Sequence, residues 1–253
     1  MGLKGLVEES KKNKMNEKQE ILNSLRKQIL LLEGFKEPML IEDTRLGRIN
    51  EAFPNGVFPF SALHEFFCFN QEELTSSSAF ITALLSSRFK KGATAVWISP
   101  TRKIFPPALK WFGVEPHQIL FLNIKNEKEI SWAINEALTC SSLSAVISEL
   151  PEMSITASRR FQLTIEDAGV GCFILRKNPK NLLTTAVSRW HIQPLPTKTE
   201  NNLPGLGHLR WRVDLLKVRN GKTGSWNIEW TSNGFRYPSR LAVIHNSLHK
   251  QIG

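Results

Sequence analysis

Apolar positions along this chain follow two rhythms. The first is a helical stripe: Met15, Leu22 and Ile29 recur every seven residues, with Leu25 and Leu32 between them. It predicts an amphipathic helix over about Asn16–Glu33, ended by Gly34, with Leu22, Leu25, Ile29 and Leu32 as a face for a partner or a second copy. The second is a series of short unbroken apolar runs: Ala62–Phe69, Thr94–Ser99, Ile119–Ile124, Leu143–Ser148 and Val170–Leu175. Runs of that length predict strands buried on both faces. Helical stretches separate them: from near Glu72 to about Arg88, Pro106–Phe112, Glu127–Cys140 and Ser154–Ala168, with Gly92, Gly113 and Gly169 at their ends. Such alternation predicts a parallel sheet covered by helices. After Pro179 the rhythm lengthens to Leu183–Ile192, Leu209–Val218 and Trp226–Trp230. Trp211, Val213 and Leu215 alternate there with Arg210, Arg212 and Asp214, as in a half-exposed strand. The predicted fold is α/β: a mostly parallel sheet flanked by helices, an antiparallel β extension at the C-terminal side, and a separate N-terminal helix. The predicted division is a disordered start plus helix over 1–34, a core over 35–235 and a tail over 236–253.

Charge changes this picture in one place. Residues 176–253 hold 13 Lys/Arg and 3 Asp/Glu, so the net +10 of the whole chain sits in that third. Residues 1–175 balance at 20 of each sign, from totals of 33 and 23. A basic region holding four of the seven Trp suits nucleic acid or an acidic partner; a merely basic β-region with core Trp is the plainer alternative. No apolar run reaches the ~18–20 residues of a membrane span, and the Lys-rich start lacks the apolar segment of a secretory signal. Cys68, Cys140 and Cys172 are far apart and lack metal spacing, which predicts buried thiols rather than ligands or disulfides.

The stretch Phe53–Phe80 has the strand–loop–helix frame of a phosphate-binding loop without its chemistry. Asn70, Gln71, Glu72, Glu73, Leu74, Thr75, Ser76, Ser77 and Ser78 occupy the loop's place. They include no Gly to curl the backbone around phosphate and no Lys to hold it, and two carboxylates would repel it. An ordinary strand–loop–helix with no such ancestry fits the spacing equally well.

Six segments in order carry a family resemblance. They are Leu46-Gly47 through Phe53–Glu65 (FPNGVFPFSALHE), Ala95–Pro100 (AVWISP), Ser154–Leu163 (SITASRRFQL), Arg189-Trp190, His208–Val213 (HLRWRV) and Gly224–Trp230 (GSWNIEW). The order of elements resembles the RecA family, and the six segments resemble the ImuA family of RecA-like accessory proteins over about residues 45–231. That resemblance implies a RecA-like core with a degenerate P-loop and no cofactor. It also implies a non-catalytic role in error-prone DNA repair, translesion synthesis and the SOS response, in a bacterial cytoplasm. The implied partners are an ImuB-like or other Y-family polymerase-like protein and an error-prone polymerase, with RecA, DNA and self-association as further expectations. The departures are the missing P-loop Lys, Ser99 where other members often show Asp, and the short link 177–181 where RecA has a mobile DNA-binding loop.

Candidate DNA- or partner-binding residues are Arg159 and Arg160 on the Ser154–Ala168 helix, Arg176 and Lys177 at a parallel strand end, and Arg189, Arg210 and Arg212 as a basic stripe. The plainer readings are solvated helix charges for the first pair and pairing with Asp214 or Glu229 for the stripe. Glu149, at the end of its strand, stands where RecA has a metal-facing acid; without the Lys it reads as a surface carboxylate. His64-Glu65 has the composition of an acid–base pair, but no nucleophile accompanies it, and a structural role fits better.

Overall fold

The computed structural model describes residues 24–25, 45–101, 103–197 and 207–238. The chain divides into two units, residues 1–42 and 43–253. In the first, Ser24 and Leu25 are helical and exposed; Leu22, Ile29, Leu32 and the rest of the expected stripe lie outside the described residues, as does most of the expected tail.

Among the described residues, the second unit is built on one nine-stranded sheet. Its strands are β1 (Leu63–Cys68), β2 (Ala95–Ser99), β3 (Ile119–Asn123), β4 (Ala145–Glu149), β5 (Gly171–Lys177), β6 (Ser188–Leu195), β7 (Leu209–Val218), β8 (Gly224–Thr231) and β9 (Gly234–Arg236). Their order across the sheet is β3-β2-β4-β5-β1-β6-β7-β8-β9. The first six in that order are parallel; β7, β8 and β9 join antiparallel. The helices are α1 (Gln71–Phe89), α2 (Glu127–Thr139) and α3 (Ile155–Ala168). This is the expected α/β architecture.

Alternation along the strands creates two cores. Phe66 and Cys68 of β1, Phe173 and Leu175 of β5 and Trp190 of β6 face α1. Leu63, Cys172 and Ile174 face the other way, toward α2 and α3. The α1 side is aromatic-rich: the rings of Phe66 and Trp190 stack 5.9 Å apart. Burying such rings supplies much of the driving force for folding.

Three local expectations change. Pro106–Phe112 forms 3-10 turns rather than an α-helix. Gly113 still closes it in the left-handed region. The strand expected from Leu183 begins only at Ser188, and it runs parallel to β1; the antiparallel part starts with β7. Residues 178–187 instead cross over as an irregular strap whose carbonyls bond to side chains. Finally, Cys140 is exposed, whereas Cys68 and Cys172 are buried as expected.

Candidate functional site

Open parallel sheets gather ligands at the carboxyl ends of their strands. Here that edge carries Cys68, Ser99, Glu149 and Lys177, the last residues of β1, β2, β4 and β5. The phosphate-binding position would be the step from β1 into α1. No loop exists there: only Phe69 and Asn70 separate the strand from the helix. The helix expected from near Glu72 begins at Gln71: Gln71, Glu72, Glu73, Thr75, Ser76, Ser77 and Ser78, which stand in the place of a phosphate-binding loop, form the first two turns of α1, and Asn70 is its N-cap.

The reason is capping chemistry. The Asn70 side chain accepts from the Glu73 N–H at 2.8 Å, and Glu73 Oε2 accepts from the Phe69 N–H at 2.7 Å. Those N–H groups are the kind a phosphate would need. The helix start also carries its own carboxylates, Glu72 and Glu73, against the positive end of the dipole. Thr75 and Ser78 turn their hydroxyls back to the Gln71 and Leu74 carbonyls, and Ser76 and Ser77 are buried. Glu73 is also 3.1 Å from His191 Nε2, whose ring lies 5.2 Å from that of Phe69.

Beside this helix start, Ser99 donates to Glu149 Oε1 at 2.8 Å. Burial raises the Glu149 carboxyl above its ordinary range, so this residue is a partly buried, hydrogen-bonded acid rather than a solvated surface charge. Among the described residues no three His, Cys, Asp or Glu are placed to hold a metal. Burial pushes the Cys68 thiol up to about 12, which keeps it from acting as a nucleophile at neutral pH. A cleft of about 410 Å³ opens further along the edge, lined by Trp97, Ser99, Thr101, Ile104, Phe121 and Asn123.

His64 and Glu65 point to opposite faces of β1 and form no pair. His64 Nε2 donates to the Pro59 carbonyl at 2.9 Å, its only role toward a carbonyl, so Nδ1 accepts from Ser188 Oγ at 2.6 Å. Ser188 in turn accepts from Trp190 Nε1 at 2.7 Å. Burial lowers the His64 pKa to about 3, so the ring is neutral and structural.

Glu65 is the centre of a buried arginine cluster on the α3 side. Arg176 Nη1 donates to its Oε1 at 2.7 Å, and Arg189 donates to its Oε2 through Nε at 3.0 Å and Nη2 at 2.8 Å. Both guanidiniums also lie over the Phe67 ring, at 5.6 and 4.7 Å. Arg176 is fully buried, so it does not belong to a surface for phosphate. The sequence did carry the signal for this cluster: an acid inside an unbroken apolar strand requires a charged partner.

The other candidates divide by exposure. Arg189, Arg210 and Arg212 share one face of β6–β7, as a stripe requires, but carboxylates meet each of them. Arg210 pairs with Glu229 across the strands at 3.0 Å, and Arg212 with Asp214 at 3.2 Å. Arg212 remains half exposed. Arg159, Arg160 and Lys177 are exposed.

No helix among the described residues is long and apolar enough to cross a membrane, and no protein-family model matches the chain. The chain is 30% identical over 212 residues to Protein ImuA of Caulobacter vibrioides strain NA1000 / CB15N, an alignment that covers 77% of this chain and 87% of the relative. Protein ImuA of strain ATCC 19089 / CIP 103742 / CB 15 matches with the same identity and coverage. With that identity sustained over most of both chains, this protein belongs to the ImuA family.

Proposed function

We propose that this chain is a non-catalytic RecA-like accessory protein of bacterial error-prone repair, working in the cytoplasm within an ImuA/ImuB damage-tolerance system. Its work is adaptor work: it binds a Y-family polymerase-like protein of the ImuB kind and assists an error-prone polymerase, with DNA, RecA or a second copy as additional contacts. One observation carries the non-catalytic part. Asn70 and Glu73 cap α1 where nucleotide phosphates would sit, and no lysine stands in the loop's place. Co-expression with a polymerase-like protein from the same system tests the adaptor part. A stable complex through gel filtration is expected; separate elution at micromolar concentrations would sink it.

A second reading has one observation in its favour. The cleft between the ends of β2 and β3 includes Trp97 in its lining, and the buried Trp97 Nε1 donor lacks a protein partner among the described residues. A weak ATPase with a displaced nucleotide site would use such a cleft. Nucleotide titration separates it from the adaptor, and co-assembly with RecA separates a third reading, a regulator of RecA filaments.

A further inference from the structure

The strap between β5 and β6 combines rigid anchoring with exposed apolar side chains. Four cationic side chains rise from beneath to hold its carbonyls. Arg176 donates to Asn181 O at 2.7 Å, Arg189 to Leu182 O at 2.7 Å, Lys217 to Thr184 O at 3.2 Å and Arg219 to Thr185 O at 2.5 Å. From the side, Glu152 accepts the Lys180 and Asn181 N–H groups at 2.8 and 3.3 Å, and Ser158 Oγ of α3 accepts the Thr185 N–H at 3.1 Å. The first two anchors are themselves fixed by Glu65. A loop with its backbone groups so fully engaged stays ordered without a ligand.

Two adjacent leucines nevertheless face solvent at its crest. Leu182 is 53% exposed and Leu183 67% exposed. Nothing in the hydrogen bonding of the strap requires leucine there. Glu65 and Glu152 answer part of the charge of the cations beneath the strap, and Lys177 and Lys180 add exposed positive charge at its start. Burial, with Arg189 and Arg219 close by and Glu65 partly offsetting them, holds Lys217 below the usual lysine range.

We propose that the 178–187 strap is a preformed docking crest for an acidic, amphipathic segment of a protein partner. The leucine pair would enter the partner's apolar face, and glutamates or aspartates around that face would meet Lys177, Lys180 and the positive field beneath. A prefixed crest avoids the ordering cost of a mobile loop. Nucleic acid fits less well: aliphatic side chains offer no stacking platform, and the guanidiniums beneath are already spent on carbonyls. The inference rests on the adaptor reading and names the surface it would use.

The test is fluorescence anisotropy on the full chain with a labelled amphipathic helix-forming peptide, leucine on one face and glutamate on the other. The controls are the same peptide with lysine for glutamate and a single-stranded oligonucleotide. The acidic peptide should bind and the lysine peptide should not. Leu182→Ser with Leu183→Ser should weaken binding on the order of tenfold or more, because each buried leucine contributes more than the 1.4 kcal/mol that a factor of ten represents. Both leucines are exposed, so the thermal midpoint should hold; Lys177→Glu with Lys180→Glu provides an independent loss through charge. Absence of binding to the unaltered chain, equal binding by both double variants, or a leucine-dependent preference for the oligonucleotide would overturn the proposal. If the peptide fails while the polymerase-like protein still co-purifies, the strap assignment falls and the adaptor reading stands.

Discussion

Replacing Glu65 tests the logic of the whole α3 side. Its side chain is fully buried and takes three charged hydrogen bonds from Arg176 and Arg189. Glu65→Gln keeps the shape but removes the charge, and it turns an amide N–H toward a guanidinium. Arg176 is then left fully buried without its carboxylate. Breaking a buried pair in this way costs about 3–5 kcal/mol, a large part of the ~5–15 kcal/mol that stabilises a typical domain. With a urea m-value of roughly 2–3 kcal/mol/M, the unfolding midpoint should drop by about 1–2.5 M. Equilibrium urea unfolding followed by tryptophan fluorescence reads this directly. Glu152→Gln is the control: its side chain is 41% exposed and 3.7 Å from Arg176, so its loss should stay within about 1 kcal/mol. Replacing Glu65, Arg176 and Arg189 together by Leu and two Met removes the unpaired buried charge but leaves the Pro151, Asn181 and Leu182 carbonyls without these donors, so it should recover only part of the deficit. A Glu65→Gln loss below about 1 kcal/mol would refute the argument that this carboxylate is what keeps the two guanidiniums buried.

Three further outcomes follow from single sites. His64 has its folded pKa lowered to about 3 from 6.5, so its contribution is complete above pH 6.5 and is lost as pH falls toward 3. Stability should decline by about 1.4 kcal/mol per pH unit in that window, and urea midpoints of His64→Gln should show a shallower slope; identical slopes would refute it. Cys140 is exposed, and the Ser142 hydroxyl beside it lowers its thiol pKa, so native iodoacetamide labelling should stop at one site by mass spectrometry, with Cys68 and Cys172 reacting only on unfolding. If the chain binds duplex DNA through its exposed cations, changing Arg159, Arg160 and Arg212 to Ala should each reduce the salt slope of log affinity by about one for every phosphate the side chain had neutralised. An unchanged slope in the triple variant would leave those charges as solvated surface.

Much of the fold was legible because burial on two faces writes unbroken apolar runs, and β1, β2, β4 and β5 fall within a residue or two of theirs. The β7 span, Leu209–Val218, followed from the alternation of Trp211, Val213 and Leu215 with charged neighbours. The strap was not legible, for a physical reason. Leu182 and Leu183 look like the start of a strand, but Arg176, Arg189, Lys217 and Arg219 satisfy the carbonyls that a neighbouring strand would have taken. The same long-range bonds moved Arg176 from an expected surface to the core. At the candidate site, the missing Lys and Gly were visible at once. That Asn70 and Glu73 engage the backbone N–H groups at the helix start was not, because helix-capping residues and a polar loop share one composition.

We propose that this chain works without a nucleotide at the end of β1. Calorimetric titration of the full-length chain with ATP and Mg²⁺ tests it most directly. The capped start of α1 predicts no saturable heat at that site and no hydrolysis. Micromolar binding, with hydrolysis that disappears when residues from Asn70 to Ser78 are altered, would contradict it.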